Sequence, residues 1–265
     1  MKDIKIIVAT HKDYPMPKDS LYMPLEVGVD VHGKKTNFTE DNSGDNISGK
    51  NSGYSELTGL YWAWKNLKSS YAGLAHYRRH FATHGLIFSK PEKRLKKVLD
   101  VNDADDLLGK YDVILPKARN YYIENLYDHY VHTMYPEPLE ITKEIIEKHY
   151  PEYMPEFEKL KTRKTAHMFN MLIAKKDIFD GYAEWLFDIL FRLEKEVEKR
   201  GLKYDDFHAR FYGRISELLL DIYLNTNNIS YTELPVFSVE PVNWLNKGSK
   251  FLQAKFLKKK YMESF

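Results

Sequence analysis

The sequence contains no cysteine, which excludes disulfides and thiolate metal sites and fits a reducing cytoplasm. No apolar run approaches the roughly 20 residues that span a bilayer, and the N-terminus shows no secretory signal pattern. Neither sign of charge dominates, because the chain has 40 basic and 38 acidic residues. General nucleic-acid binding requires a clear basic surplus, so we expect no nucleic-acid partner.

The glycine-rich loops that bind nucleotides in the commonest folds are also missing. Neither Gly-x-Gly-x-x-Gly nor a Walker loop occurs, which argues against a dinucleotide-binding fold and a P-loop enzyme. Aromatic residues, in contrast, make up 14% of the chain. Their flat faces stack on sugars and nucleobases, although they are equally ordinary core material.

The order of apolar patterns predicts an α/β protein. Short apolar runs predict strands at residues 4–9, before His76, and at 111–116, 167–174 and 230–239. Apolar residues at helical spacing predict helices at 57–67, 178–197 and 211–222, with Gly201 ending the long one. Composition predicts a flexible loop at 41–53, and loops with short helices at 120–165. We therefore expect a mixed sheet flanked by helices, with a C-terminal helical layer.

Two adjacent arginines end the predicted strand that leads into His76. Arg78 and Arg79 follow His76 and Tyr77, and ligands of open α/β sheets bind where strands end. The planar fork of donors on arginine matches the oxygens of a diphosphate. We hypothesise that this pair binds the diphosphate of a nucleotide sugar. The alternative is an exposed pair with ordinary carboxylate partners.

Two polar loops are further candidates for substrate contacts. Thr10, His11 and Lys12 follow the first strand, where a hydroxyl, an imidazole and an ammonium suit ribose and phosphate. Residues 45–51 include Asp45, Asn46 and Asn51, whose short side chains bind sugars well. Both segments are equally typical of polar turns and helix caps.

The remaining polar residues include two candidate groups of metal ligands. Asp103 and Asp105 match an Asp-x-Asp metal pair, but they stand where a helix begins, and aspartates also cap helices. His76, His80 and His84 would align only on a helix, so zinc is not expected.

A base that takes the proton of an acceptor hydroxyl is a separate requirement. The candidates are Asp128, in an aromatic segment, and Glu217, on the helix that also carries Arg210 and Gly213. Glu217 is equally explained by an ion pair with an arginine.

Longer segments of the chain resemble a known family. They are residues 6–12, 16–22, 44–48 with Lys50 and Asn51, 56–66, Gly73-Leu74 followed by His76-Tyr77-Arg78-Arg79, Asn170-Met171, Trp185-Leu186-Phe187, and Arg210 with Gly213 and Glu217. Together they resemble the bacterial capsule and O-antigen glycosyltransferases first described as a domain of unknown function. This family is related to the galactofuranosyltransferase domain of a bifunctional O-antigen polymerase. The chain departs from the family pattern after Tyr130, where residues 132–139 replace the usual His and Asp-Leu.

The resemblance implies a GT-A-like fold and transfer of a hexose, galactofuranose foremost, from a UDP-sugar to a lipid-linked surface polysaccharide. We expect inversion, by a direct displacement that needs one base, and no cofactor. The lack of a convincing Asp-x-Asp pair agrees with a member of the family that uses no metal. Diphosphate and nucleotide contacts would come from residues 10–12 and 76–79. Donor-sugar contacts would come from Asp45, Asn46, Asn51 and Arg210, and the base would be Asp128 or Glu217. The alternatives are a UDP-galactopyranose transferase, a nucleotide-sugar hydrolase or phosphotransferase, and a non-catalytic polysaccharide-binding scaffold.

One glycosyltransferase domain is expected over residues 1–265. Residues 1–118 form the predicted nucleotide-sugar half and 119–246 the acceptor half. Residues 247–265 mix six lysines with apolar residues, a pattern of peripheral membrane contact or of a solvated terminal helix. The expected location is the cytoplasm, at the inner face of the plasma membrane.

Overall fold

The computed structural model describes residues 2–83 and 95–239. The basic tail at 247–265 and His84 therefore lie outside the described residues. Among the described residues, no helix combines the length and the apolar character needed to cross a bilayer.

Within residues 2–83 and 95–239, a mixed sheet of nine strands forms the centre of the fold. The strands of this sheet and of a separate two-stranded ribbon, β7 with β8, are β1 (Ile4–Thr10), β2 (Tyr22–Glu26), β3 (Thr39–Glu40), β4 (Tyr71–His76), β5 (Arg79–Phe81), β6 (Val113–Pro116), β7 (Arg119–Asn120), β8 (Thr165–Ala166), β9 (Leu172–Lys175), β10 (Tyr231–Leu234) and β11 (Val236–Ser238). The main order is β10-β6-β9-β4-β1-β2-β3, and β5 pairs with both β4 and β11.

Helices cover the sheet. They are α1 (Val29–His32), α2 (Asn51–Tyr54), α3 (Leu57–Asn66), α4 (Val101–Leu107), α5 (Leu126–Thr133), α6 (Glu137–His149), α7 (Met154–Glu158), α8 (Lys176–Lys199) and α9 (Phe211–Thr226). Short 3₁₀ turns occur at Ser48–Lys50, Leu95–Lys97, Pro151–Tyr153, Lys159–Lys161 and His208–Arg210. The predicted mixed α/β architecture with a C-terminal helical layer is confirmed.

The strands are apolar on both faces because the sheet is covered on both sides. Along β1, Ile7 and Ala9 join the apolar cluster beneath the long helices, whereas Ile6 and Val8 join a second cluster on the opposite face. This alternation follows from the two-residue period of a strand. Continuous apolar runs in the sequence therefore predicted these strands correctly.

The long helix α8 supplies most of the helical layer. Its predicted stripe is buried against the sheet and α3, apart from the half-buried Ile178. Gly201 adopts a left-handed φ of 63°, and the Leu202 amide donates to the Val197 carbonyl at 3.1 Å. This backbone arrangement ends the helix as predicted.

Three predicted segments differ from the structure. Residues 167–171 precede β9 as a turn instead of forming its first half, since Phe169 and Asn170 have left-handed φ values of 77° and 53°. The predicted loop at 41–53 contains α2 and a 3₁₀ turn, because the buried Asp41 carboxylate accepts bonds from the Gly28 amide and the Thr58 hydroxyl. Residues 120–165 are mostly helical.

The topology brings several chain segments to one edge of the sheet. β1, β2 and β4 are parallel, and β6 and β10 run the same way because both β4 and β6 pair antiparallel with β9. Their carboxyl ends therefore share an edge with the turn that precedes β9. This edge holds Thr10, His76, Lys117 and the turn at 167–171.

Candidate active site

Arg78 and Arg79 lie at this edge in a tight reversal of the chain. β4 ends at His76, Tyr77 and Arg78 form the turn, and β5 begins at Arg79. His76 and Arg79 are direct partners in the antiparallel register. Directly opposed residues project from the same face, so the imidazole and the guanidinium are neighbours.

Arg79 is half-buried on an aromatic platform. Its guanidinium carbon lies 4.5 Å from the centroid of the Phe169 ring. Burial and the positive charge of Arg78 lower the pKa of Arg79, and the carboxylates of Glu217 and Glu56 oppose that shift. Within residues 2–83 and 95–239, no carboxylate lies within ion-pair distance of either Arg78 or Arg79. The predicted alternative of ordinary carboxylate partners is therefore not seen in this part of the chain.

Arg78 faces the loop after β1. Its guanidinium lies 5.3 Å from the centroid of the Tyr77 ring, and the Lys12 Nζ lies 5.4 Å from the same ring. The His11 ring packs edge-on against Tyr77 at 5.2 Å. Side chains from both predicted basic segments, residues 10–12 and 76–79, therefore lie against the Tyr77 ring.

The charge around His11 is strongly positive. Burial lowers the pKa of His11, and Lys12, Arg78 and Lys35 lower it further. The Thr10 hydroxyl donates to the Lys12 carbonyl at 2.6 Å, which closes the turn that presents these groups. Such a surface attracts an anion, and Lys35 adds a charge that was not predicted as part of the site.

A half-buried carboxylate, that of Glu56, lies beside His76. Glu56 Oε1 accepts from the Asn170 amide at 2.7 Å and lies 3.7 Å from His76 Nε2. Burial alone raises the pKa of Glu56, but His76, the Asn170 hydrogen bond and Arg210 outweigh it and hold the pKa below its ordinary value. Glu56 is therefore ionised at neutral pH.

Glu217 belongs to the same group of residues. Its Oε1 accepts from the Phe169 amide at 2.9 Å, and its Oε2 lies 3.4 Å from Arg214 Nη1. Glu217 raises the pKa of Arg214, a third guanidinium that acts electrostatically on Arg79. Glu217 thus anchors the turn at Phe169 and pairs with an arginine.

Backbone strain is concentrated in these segments. Ser55, Phe169 and Asn170 have left-handed φ values of 50°, 77° and 53°. Ser55 precedes Glu56 and accepts from Arg210 Nε at 3.0 Å. Strained non-glycine residues persist where surrounding contacts hold them, and they cluster at functional sites.

The predicted donor-sugar residues are dispersed. Asp45 accepts from the Tyr61 hydroxyl at 3.1 Å, and its amide donates to Asn66 Oδ1. Asn66 ends α3 whereas Glu56 precedes it, so the two lie about 15 Å apart along the helix. Asp45 and its neighbour Asn46 are not brought to Glu56.

Asn51 and Arg210 lie nearer the site. The Asn51 amide donates to the Ser55 carbonyl at 2.8 Å, and so buttresses the strained residue before Glu56. Arg210 contacts the Ser55 side chain.

The remaining candidates have local partners. Asp128 is exposed and accepts from Asn125 at 2.8 Å in the cap of α5. Asp105 accepts from the Lys2 amide at 2.7 Å on α4, which Asp100 caps. His80 is fully buried, and burial lowers its pKa to about 4. Among the described residues, no three His, Cys, Asp or Glu side chains are grouped as metal ligands.

Sequence reasoning did not identify Glu56, Asn170, Arg214 and Lys35 as members of this site. A glutamate at the start of an apolar helix is explained by the helix dipole, so the pattern around Glu56 carries no special signal. Glu56 and Asn170 stand within, and Arg214 next to, the segments that resemble the known family. That proximity was the one signal available.

Comparison with known proteins agrees with the fold and the resemblance. A model of a family described as a domain of unknown function, DUF4422, matches residues 5–228. The solved apo structure of WbbM, a bifunctional glycosyltransferase, is similar with a TM-score of 0.79 and 30% identity. The match covers 90% of this chain and 46% of that one, so this chain spans about half the length of WbbM. Comparison with curated proteins found no match.

Proposed function

Since this chain belongs to the DUF4422 family, we propose that it is a glycosyltransferase that moves a hexose from a UDP-sugar to a carbohydrate acceptor. The similarity to a bifunctional glycosyltransferase supports this class of activity. The observation that carries the proposal is the pair Arg78 and Arg79 at the carboxyl edge of the sheet. Neither has a carboxylate partner within the described residues, so both are available to an anion.

The diphosphate of the donor fits the charge of this edge. The guanidinium of Arg79 stacks on the Phe169 ring and offers a fork of donors. Arg78 adds positive charge next to it, and Arg78, Lys12 and Lys35 together make the surroundings of His11 positive. When the glycosidic bond breaks, negative charge develops on the leaving diphosphate. Preorganised cations at that position stabilise the transition state. The proposed transfer therefore uses guanidinium groups, with no requirement for a divalent cation.

The finer assignments follow the family resemblance. We propose galactofuranose as the donor sugar, with galactopyranose second, and a lipid-linked surface polysaccharide at the cytoplasmic face of the membrane as the acceptor. A direct displacement with inversion needs one base. Asp128 and Glu217 remain the sequence-predicted candidates, of which Glu217 lies beside Arg79.

Calorimetric titration of UDP into the full chain, with and without Mg²⁺, tests the proposal. We expect UDP to bind in both buffers and UDP-galactofuranose to release UDP faster when an oligosaccharide acceptor is present. Release of free sugar that no acceptor accelerates would indicate a hydrolase. Binding of polysaccharide without any affinity for UDP would indicate a carbohydrate-binding protein and overturn the proposal.

A further inference from the structure

The neighbours of His76 determine which ring nitrogen of the neutral imidazole carries the proton. Its Nε2 lies 3.1 Å from the Phe169 carbonyl oxygen, and a carbonyl only accepts. Nε2 therefore carries the proton, and the lone pair of the neutral ring is on Nδ1. Glu56 Oε1, at 3.7 Å, lies on the same side as the Nε2 proton.

The partners of the imidazole are themselves held in place. The Asn170 amide donates to both Glu56 Oε1 and the Gly213 carbonyl, so its orientation is fixed by two acceptors. The Phe169 amide is bound by Glu217. The ring thus has a defined orientation, with a carboxylate and a carbonyl on one side and Nδ1 on the other.

Nδ1 has no partner among the described residues, and the His76 side chain keeps 16% of its surface exposed. The charged and titratable groups that act electrostatically on the ring are Glu56 before α3, Arg79 and His80 on β5, and Glu217 on α9. Burial and Arg79 keep the ring neutral at neutral pH, because they lower its pKa against the opposing effect of Glu56.

We infer that His76 is the general base of the proposed transfer, with Nδ1 taking the proton of the acceptor hydroxyl and Glu56 acting as a positioning residue. This inference rests on the proposed function. It replaces Asp128 and Glu217 in that role, since the Asp128 carboxylate accepts from Asn125, the residue that caps α5, and both Glu217 oxygens face other groups. It also separates His76 from the diphosphate contacts predicted for residues 76–79.

The step balances as a single displacement. The acceptor oxygen forms a bond to the anomeric carbon, and the bond from that carbon to the diphosphate oxygen breaks. The electron pair of that bond leaves on UDP, which Arg78 and Arg79 face. The acceptor proton moves to Nδ1, and the imidazolium afterwards returns it to water.

His76→Gln is the informative variant because its side-chain amide can still donate to the Phe169 carbonyl but has no basic lone pair. We expect UDP release from UDP-galactofuranose in the presence of an oligosaccharide acceptor to fall about 100- to 10,000-fold. The dissociation constant for UDP should change by less than about threefold. His149→Gln, an exposed position on α6, serves as the matched control and should behave as wild type.

Nitrogen NMR of the histidine rings in the full chain gives a readout that does not depend on turnover. At pH 7.5 we expect His76 to carry its proton on Nε2. A proton on Nδ1, wild-type rates in His76→Gln, or a loss of UDP affinity that matches the loss of rate would overturn the inference. A wild-type chain that neither binds UDP nor cleaves UDP-sugars would instead overturn the proposed function.

Discussion

The guanidinium of Arg79 lies 4.5 Å above the centre of the Phe169 ring, and the Phe169 backbone is held by Glu217. A stacked guanidinium keeps its edge free for hydrogen bonds while its flat face is covered. Phe169 makes both contacts while its backbone holds an unfavourable left-handed conformation, with a φ of 77°. The turn before β9 is shaped to support the side chain that would meet the diphosphate.

Removing this guanidinium should weaken nucleotide binding. For Arg79→Ala we expect a loss of roughly 2–3 kcal/mol in UDP affinity, because a charge-assisted contact at a half-buried site is lost. Arg79→Lys should recover little of it, since an ammonium cannot reproduce a planar fork. Calorimetry with UDP measures both effects.

Arg78 provides the internal comparison. It is exposed, so solvent and salt screen its charge, and Arg78→Ala should cost less affinity than Arg79→Ala. Arg200→Ala removes an exposed arginine paired with Glu144 and should leave UDP binding unchanged. Equal UDP affinity in wild type and Arg79→Ala would show that the arginine does not contact the diphosphate.

Local patterns were sufficient for most of the fold. β6 and the stretch of β1 from Ile6 to Ala9 are continuously apolar because both sheet faces are covered, and α8 carries a continuous apolar stripe. In each case the spacing of the apolar residues along the sequence indicates whether the segment is a strand or a helix. These elements were predictable without knowledge of their partners.

The turn at 167–171 was not predictable in this way. Its sequence is largely apolar and continues into β9, so it resembles a strand. Its conformation depends on Glu56 and Glu217, which are more than 40 residues away in the chain. The same long-range contacts create the site, which explains why Arg78 and Arg79 were identified from the sequence whereas Glu56 and Asn170 were not.

The charge of Glu56 should be visible in the pH profile. Glu56→Gln keeps an acceptor for Asn170 but removes the carboxylate that raises the pKa of His76. The pKa of His76 should therefore fall further, and the acidic limb of kcat should move to lower pH. We also expect kcat to fall about 10- to 100-fold, as for other groups that orient a reacting side chain.

Rates of UDP release between pH 4.5 and 8 measure this shift in the variant and in wild type. A variant that lost activity equally at every pH would assign Glu56 a purely structural role. Glu194→Gln changes a glutamate whose charge pairs with Lys50, and its pH profile should match wild type.

His167 should make the stability of the fold depend on pH. It is buried, its Nδ1 bonds Asp221, and its Nε2 lies 2.9 Å from Glu233 Oε1. Burial alone lowers the pKa of His167, but the two carboxylates outweigh it and raise the pKa above 6.5. Stability from this group is fully present below about pH 6.5 and is lost as the pH rises through the folded-state pKa.

Urea unfolding at pH 6 and pH 9 checks the direction of this effect. Wild type should lose stability at the higher pH, and His167→Gln should show a flatter dependence. At pH 6 the variant should also be about 3 to 5 kcal/mol less stable, because Asp221 is left buried without its charged partner. If the wild-type protein became more stable from pH 6 to pH 9 and His167→Gln did not, the assignment would be contradicted.

Gly73 should be required for the close approach of β4 and β9. A Cβ at this position would lie 2.8 Å from the Leu172 carbonyl oxygen and 3.0 Å from Ile173 Cγ1, and the backbone oxygen cannot rotate away. Gly73→Ala should therefore destabilise the protein by about 1 to 3 kcal/mol in urea unfolding. Gly49→Ala is the matched control, since a Cβ there would meet nothing within 4 Å.

Because β4 leads directly to His76 and Arg79, we also expect Gly73→Ala to weaken UDP binding. Equal unfolding midpoints for the two alanine variants would show that β9 can shift at no cost.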